Sequence, residues 1–247
     1  MTKYAIYVVI VAILALFFKL FWPSSVPETS MNTERITFKT SDNVNIVGIY
    51  YKAAGNAGIL LLHMMSATKE NWEAFAEKLQ VAGFNVLAID LRGHGESGGG
   101  PNGFQNFSDA EHQASIHDVE AAIEFLKSKG ISEIGIAGAS VGANLALWYQ
   151  AEHLEIKKII LLSAGFNYYG IEAKQYAQAI KTDQSVYFVG DEDDMRKSGH
   201  SAADMSRELY ALTSAKKEIT IYKGSGHGTD MFNAHPELED RLVEWFK

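Results

Sequence analysis

The chain has 247 residues, no cysteine, 47% hydrophobic and 21% charged residues, and a formal net charge of −8 at pH 7. Those figures exclude a disordered polymer, disulfides, thiolate metal sites and a cysteine nucleophile. They also argue against a nucleic-acid partner, because neutralising phosphates needs clustered Lys and Arg.

The first element is apolar. Residues 4–22 carry a single charge, Lys19, near the far end. At ~1.5 Å per residue the run reaches roughly 28 Å, about one hydrocarbon thickness, which predicts a membrane-spanning helix over residues 1–22. A cleaved signal peptide is the competing reading, supported by Lys3 ahead of the run. Pro23-Ser24-Ser25-Val26-Pro27-Glu28 offers no clear small-x-small cleavage site, which favours the retained anchor. Lys3 on one side, with Glu28 and Glu34 beyond the other, predicts the N-terminus inside and the domain extracytoplasmic. Secretion after cleavage is the alternative. Residues 23–34 read as a polar linker.

From residue 35 to 247 strand and helix patterns alternate. About 210 residues suffice for one domain with a sizeable core. Strands are predicted over 35–40, 44–52, 58–62, 85–89, 133–137, 158–162, 185–189 and 217–222, and helices over 70–82, 109–129, 141–151, 171–181, 201–213 and 236–246. The first two strands, separated by Ser41-Asp42-Asn43, read as a hairpin. The later ones are short, nearly all apolar and separated by helices, the pattern of a parallel sheet covered on both faces.

Gly138-Ala139-Ser140-Val141-Gly142 carries the chemistry. A serine between two glycines, after the apolar run ending at Ala137 and before a helix, has the spacing of a nucleophile elbow. The helix N-terminus below Ser140 leaves unpaired N–H groups, that of Val141 foremost, to receive an oxyanion formed by serine attack. Two later strand ends supply partners. Residues 185–189 open into Gly190-Asp191-Glu192-Asp193-Asp194, and 218–222 into Gly224-Ser225-Gly226-His227-Gly228. An acid and a histidine following the serine, on loops after later strands, is the order a serine hydrolase of this kind requires.

With these residues the chain resembles the α/β-hydrolase family over nearly all of residues 35–247. The matching features are His63 after Ile59-Leu60-Leu61-Leu62, the loop Asp90 to Ser97, the elbow, Gly190 to Asp193, and Gly226-His227-Gly228. Uncapped esterases and dienelactone-hydrolase-like serine hydrolases look nearest. The resemblance implies an eight-stranded, mostly parallel sheet with helices on both faces. It also implies a Ser140–His227–Asp193 triad and an oxyanion hole from the N–H groups of Val141 and Met65. Asp193 fits the family's Gly-x-x-Asp spacing, with Asp191 and Asp194 as competitors in the same turn. Two departures stand out. His63-Met64-Met65 replaces the family's common His-Gly, and dienelactone hydrolases proper use the cysteine that this chain lacks.

Other motifs yield to plainer readings. Gly93-His94-Gly95-Glu96-Ser97-Gly98 fits a dinucleotide fingerprint in letters, but Gly99-Gly100-Pro101-Asn102-Gly103 follows where a helix would have to begin. Arg92 and Asp90 read as structural groups of that loop. The Asp191–Asp194 run lacks the alternating ligands of a calcium loop. Phe166, Tyr168, Tyr169, Met64, Met65 and Phe104 suit either an apolar acyl wall or ordinary packing. The expected protein is therefore an anchored serine hydrolase cleaving carboxylic esters through an acyl-enzyme, with no metal or organic cofactor and a small-molecule ester as partner. A thioesterase, a lipid acyl hydrolase and a silent hydrolase-fold binding protein are the alternatives.

Overall fold

The computed structural model describes residues 32–247, and the expected span at residues 4–22 lies outside them. Among the described residues no helix is long and apolar enough to cross a membrane. Strand β1 (Thr33–Lys39) pairs antiparallel with β2 (Asn45–Tyr51), Thr33 facing Tyr51 and Lys39 facing Asn45. The first strand thus begins two residues before the expected one. Asn43, at φ 70°, turns the hairpin, a conformation asparagine tolerates better than most residues.

The remaining strands are β3 (Ala57–Leu62), β4 (Asn85–Ile89), β5 (Glu133–Ala139), β6 (Lys158–Leu162), a short pair β7 (Asn167–Tyr168) and β8 (Ile171–Glu172), β9 (Ser185–Asp191) and β10 (Lys216–Tyr222). Eight form one sheet in the order β1-β2-β4-β3-β5-β6-β9-β10. All neighbours are parallel except the two pairings made by β2.

Alternation along the strands builds two apolar layers. Leu60, Leu62, Leu87, Ile89, Ile159, Leu161, Val186 and Phe188 face one helix layer. Ile59, Leu61, Val86, Ala88, Ile160, Leu162, Tyr187 and Val189 face the other. The helices are α1 (Glu73–Val81), α2 (Asp109–Gln113), α3 (Ile116–Ser128), α4 (Val141–Glu152), α5 (Ala173–Ala179), α6 (Ala202–Leu212), α7 (Met231–Ala234) and α8 (Pro236–Phe246). Val119, Ile123 and Leu126 of α3 and Leu145 of α4 pack on the first face, whereas Phe75 and Leu79 of α1 and Leu238, Leu242 and Phe246 of α8 pack on the second.

Two expected helices are divided. The stretch 109–129 breaks at Ala114-Ser115, where bonds from Ser115 N–H to the His112 carbonyl and from Asp118 N–H to the Ser115 carbonyl tighten the turn. Asp118 is pinned there by Arg92, whose backbone N–H and Nε donate to it at 2.8 and 2.9 Å. The stretch 171–181 starts as β8, and only α5 is helical. Tyr169 (φ 48°) and Gly170 (φ 87°) form the two-residue turn between β7 and β8, both with the positive φ of a type I′ hairpin. Gly170 N–H closes that turn on Asn167 Oδ1 at 2.9 Å.

Candidate active site

Ser140 occupies the one-residue corner between β5 and α4, at φ 54° and ψ −115°. A non-glycine residue at positive φ is strained, and the close crossing of strand and helix enforces it here. A Cβ on Gly138 would lie 2.2 Å from the Gly142 carbonyl oxygen, and one on Gly142 would lie 2.3 Å from that of Leu62. Only glycine fits at either place. Ser140 is almost fully buried, and its carbonyl accepts from Ala143 and Asn144. As the first helical residue, Val141 leaves its N–H without an intrahelical acceptor.

Beside the elbow runs the loop after β3. His63 Nε2 accepts from Leu91 N–H at 3.0 Å, so the ring proton lies on Nδ1 and is donated to the Met64 carbonyl at 2.8 Å. Complete burial, reinforced by the neighbouring His94, pushes the His63 pKa down to about 4 and keeps the ring neutral. With the Met64 carbonyl held toward His63, the trans peptide directs the Met65 N–H the opposite way. The loop ends in Ser66 at φ 66°, another strained residue.

The structure brings Asp194, and not Asp193, to His227. His227 Nδ1 donates to Asp194 Oδ2 at 2.5 Å. Asp193 is exposed, and its backbone N–H donates to Asp191 Oδ1 at 2.7 Å. The carboxylate that reaches His227 lies one residue beyond the expected Asp193 because β9 continues through Asp191, whose buried carboxylate is engaged as a brace. Asp191 Oδ2 accepts from Ser225 N–H at 2.7 Å and from the Ser225 hydroxyl, tying the two loops together. Burial would raise the Asp194 pKa, but His227 and Arg196 outweigh it and hold the carboxyl below its usual range. Ser163, at φ 53°, supports the histidine loop by accepting from Gly228 N–H at 3.0 Å.

Two further residues meet at the serine. Ser140 Oγ is hydrogen-bonded to the Tyr168 hydroxyl, not to His227. Arg196 Nη2 donates to that same phenol oxygen at 3.0 Å, while its Nη1 donates to Asp194 Oδ1 at 3.2 Å and lies 3.2 Å from His227 Nδ1. Tyr168 belongs to the hairpin, whose tip is clamped from outside. The Tyr169 ring stacks on His112 at 3.7 Å between centroids, and Gln113 Nε2 donates to the Tyr169 carbonyl at 2.7 Å. The break between α2 and α3 frees this short helix to reach the hairpin.

These groups line a cleft of about 710 Å³ that includes Met65, Ser140, Phe166, Tyr168, Arg196 and His227. The loop from Asp90 to Ser97 does not line it and is held by Lys69 Nζ to Asp90 Oδ2 at 2.8 Å and by Arg92 between Asp118 and Asp42. Asp90 and Arg92 are structural, as their sequence setting suggests. Among the described residues no three His, Asp or Glu side chains converge as a metal-ligand set.

The profile of the alpha/beta hydrolase fold family matches residues 59–209, more than half of the chain. The chain belongs to the α/β-hydrolase family. A thermostable monoacylglycerol lipase of Bacillus sp. (strain H-257) is 23% identical, over 80% of this chain and 93% of that protein. The Pyrococcus furiosus esterase Pf2001 superposes with a TM-score of 0.70 at 20% identity, over 87% of this chain and 92% of that one. A dienelactone hydrolase from Anabaena variabilis gives a TM-score of 0.70 at 17% identity, covering 87% and 97% respectively. Within this α/β-hydrolase, the roles open to Asp194, Tyr168, Arg196 and Ser163 escape the motif spacing. Tyr168 reads in sequence as one of several aromatic wall residues, and nothing in the letters around Arg196 signals its reach to the Tyr168 hydroxyl.

Proposed function

We propose that the protein is a serine hydrolase that cleaves carboxylic esters through an acyl-enzyme, with Ser140 as nucleophile, His227 as base and Asp194 as the acid. The observation that carries this reading is the Asp194–His227 hydrogen bond in the same cleft as a serine held at positive φ. The carboxylate keeps the imidazole proton on Nδ1 and leaves Nε2 to take the serine proton. Catalytic hydrogen bonds are commonly loose before substrate binds, so Ser140 leaves Tyr168 for His227 as the substrate enters. The N–H groups of Val141 and Met65 then receive the oxyanion. As the intermediate collapses to the acyl-enzyme, His227 gives the proton it took from Ser140 to the departing alcohol, and the neutral imidazole then activates the water that releases the acid.

The substrate is a small-molecule ester with a small or medium acyl group. A lipid acyl ester is a second reading, favoured by the exposed Tyr169 and Met195 at the mouth of the cleft. No step in this scheme calls on a metal or an organic cofactor. On this proposal residues 4–22 hold the domain at a membrane surface, as their apolar run supports, with the domain extracytoplasmic, as Lys3 before the run and Glu28 and Glu34 after it support.

Labelling with a fluorophosphonate tests the nucleophile. The wild-type protein labels once, and Ser140→Ala stays folded, does not label, and loses ester hydrolysis by several orders of magnitude. An undiminished acylation burst in Ser140→Ala overturns the assignment.

A further inference from the structure

The contact between Ser140 and Tyr168 calls for a chemical account. Arg196 is a donor only, so the Tyr168 oxygen is the acceptor in the bond from Nη2, and the phenol proton is free to be donated. A guanidinium on the phenol oxygen makes that proton a stronger donor. Ser140 Oγ is the other hydrogen-bond partner of that phenol in the resting state. The same guanidinium touches Asp194 and His227, which places Tyr168 on the histidine side of the nucleophile.

Resting on the acyl-enzyme reading above, we propose that Tyr168, braced by Arg196, donates a hydrogen bond to the leaving-group oxygen of the ester. In the tetrahedral intermediate that oxygen and Ser140 Oγ are bonded to one carbon. Because His227 protonates the leaving oxygen, that oxygen lies on the histidine side, next to the phenol. When the intermediate collapses, the carbon–oxygen bond breaks with its electron pair going to the leaving oxygen. That oxygen takes the proton from His227 Nε2, while Tyr168 keeps its own proton and stabilises the developing negative charge. Tyr168 is then a catalytic residue and Arg196 a positioning residue.

The clamped hairpin supports the role. Tyr169 pays strain at φ 48° to close a turn that sets its neighbour Tyr168 over the serine, and His112 and Gln113 hold that tip in place. Preorganised donors of this kind act without reorganising during the reaction.

The consequence is a dependence on the leaving group. An alkoxide needs the extra donor, whereas p-nitrophenolate is stable enough to depart without it. With one acyl group throughout, Tyr168→Phe is expected to lower kcat/KM for the ethyl ester by about tenfold or more. For the p-nitrophenyl ester the loss is expected to stay within about twofold. Arg196→Gln shifts the ratio of the two rates in the same direction and shifts it little further in the Tyr168→Phe background. Equal losses on both esters, or no loss on either, overturn the proposal for Tyr168, and equal losses in Arg196→Gln overturn the positioning role. Fluorophosphonate labelling of the wild-type chain separates this from the parent reading. If the wild type neither labels nor hydrolyses, both fail, whereas a labelling, active wild type with an unselective Tyr168→Phe sinks this inference alone.

Discussion

His227 Nδ1 sits 2.5 Å from Oδ2 of Asp194, while Asp193, one residue earlier, turns its carboxylate to solvent. An imidazole bonded this way has its tautomer fixed, and its charged form is stabilised by an adjacent anion. Asp194→Asn is therefore expected to lower kcat by roughly 10³- to 10⁴-fold with the fold intact. Asp193→Asn is expected to keep activity within about threefold, as is usual for an exposed side chain without partners. Steady-state kinetics on one p-nitrophenyl ester decides it. A crippled Asp193→Asn beside a near-normal Asp194→Asn reverses the assignment.

Much of the domain was legible because its strands are short, apolar and regularly spaced. The limits 85–89, 158–162 and 236–246 coincide with the observed elements, and the elbow is a local device whose glycines and serine appear in five consecutive letters. Which carboxylate reaches His227 is not legible in the spacing because it depends on how far β9 runs, which is set by pairing with β10 up to Tyr222 opposite Asp191. The β7–β8 hairpin was hidden for a related reason. Its turn uses Tyr169-Gly170, not an Asn-Gly pair, and the strained tyrosine is tolerated through contacts with His112, Gln113 and Met65 from distant segments. Tertiary contact, not local preference, decides both.

The apolar run at residues 4–22 makes a separate prediction. The full-length chain is expected to stay in the membrane fraction through high-salt and carbonate washing, because burying that many apolar side chains outweighs peripheral electrostatic attachment. A chain starting at Met31 is expected to be soluble and active, since both faces of the sheet are covered by helices from within residues 32–247. Protease added to spheroplasts should reach the domain. A soluble mature form beginning after about Trp22 shows a cleaved signal peptide instead, and protection from protease places the domain in the cytoplasm.

The neutral His63 links pH to stability and to the loop that carries Met65. Its folded pKa of about 4 lies below the ordinary 6.5, so between these values the unfolded chain binds more protons than the folded one. Stability is then complete above pH 6.5 and falls as the pH drops toward 4, where this contribution levels off. The full loss is about 3 kcal/mol. Urea unfolding at pH 7 and pH 4.5 measures it, and His63→Gln is expected to flatten the slope across that window. Protonating Nε2 also removes the acceptor for Leu91 N–H, so the loop carrying Met65 loosens together with the fold. NMR titration of the His63 ring gives an independent reading in the native protein. A midpoint near 6.5 in the folded state contradicts the buried, neutral ring and removes this source of acid sensitivity.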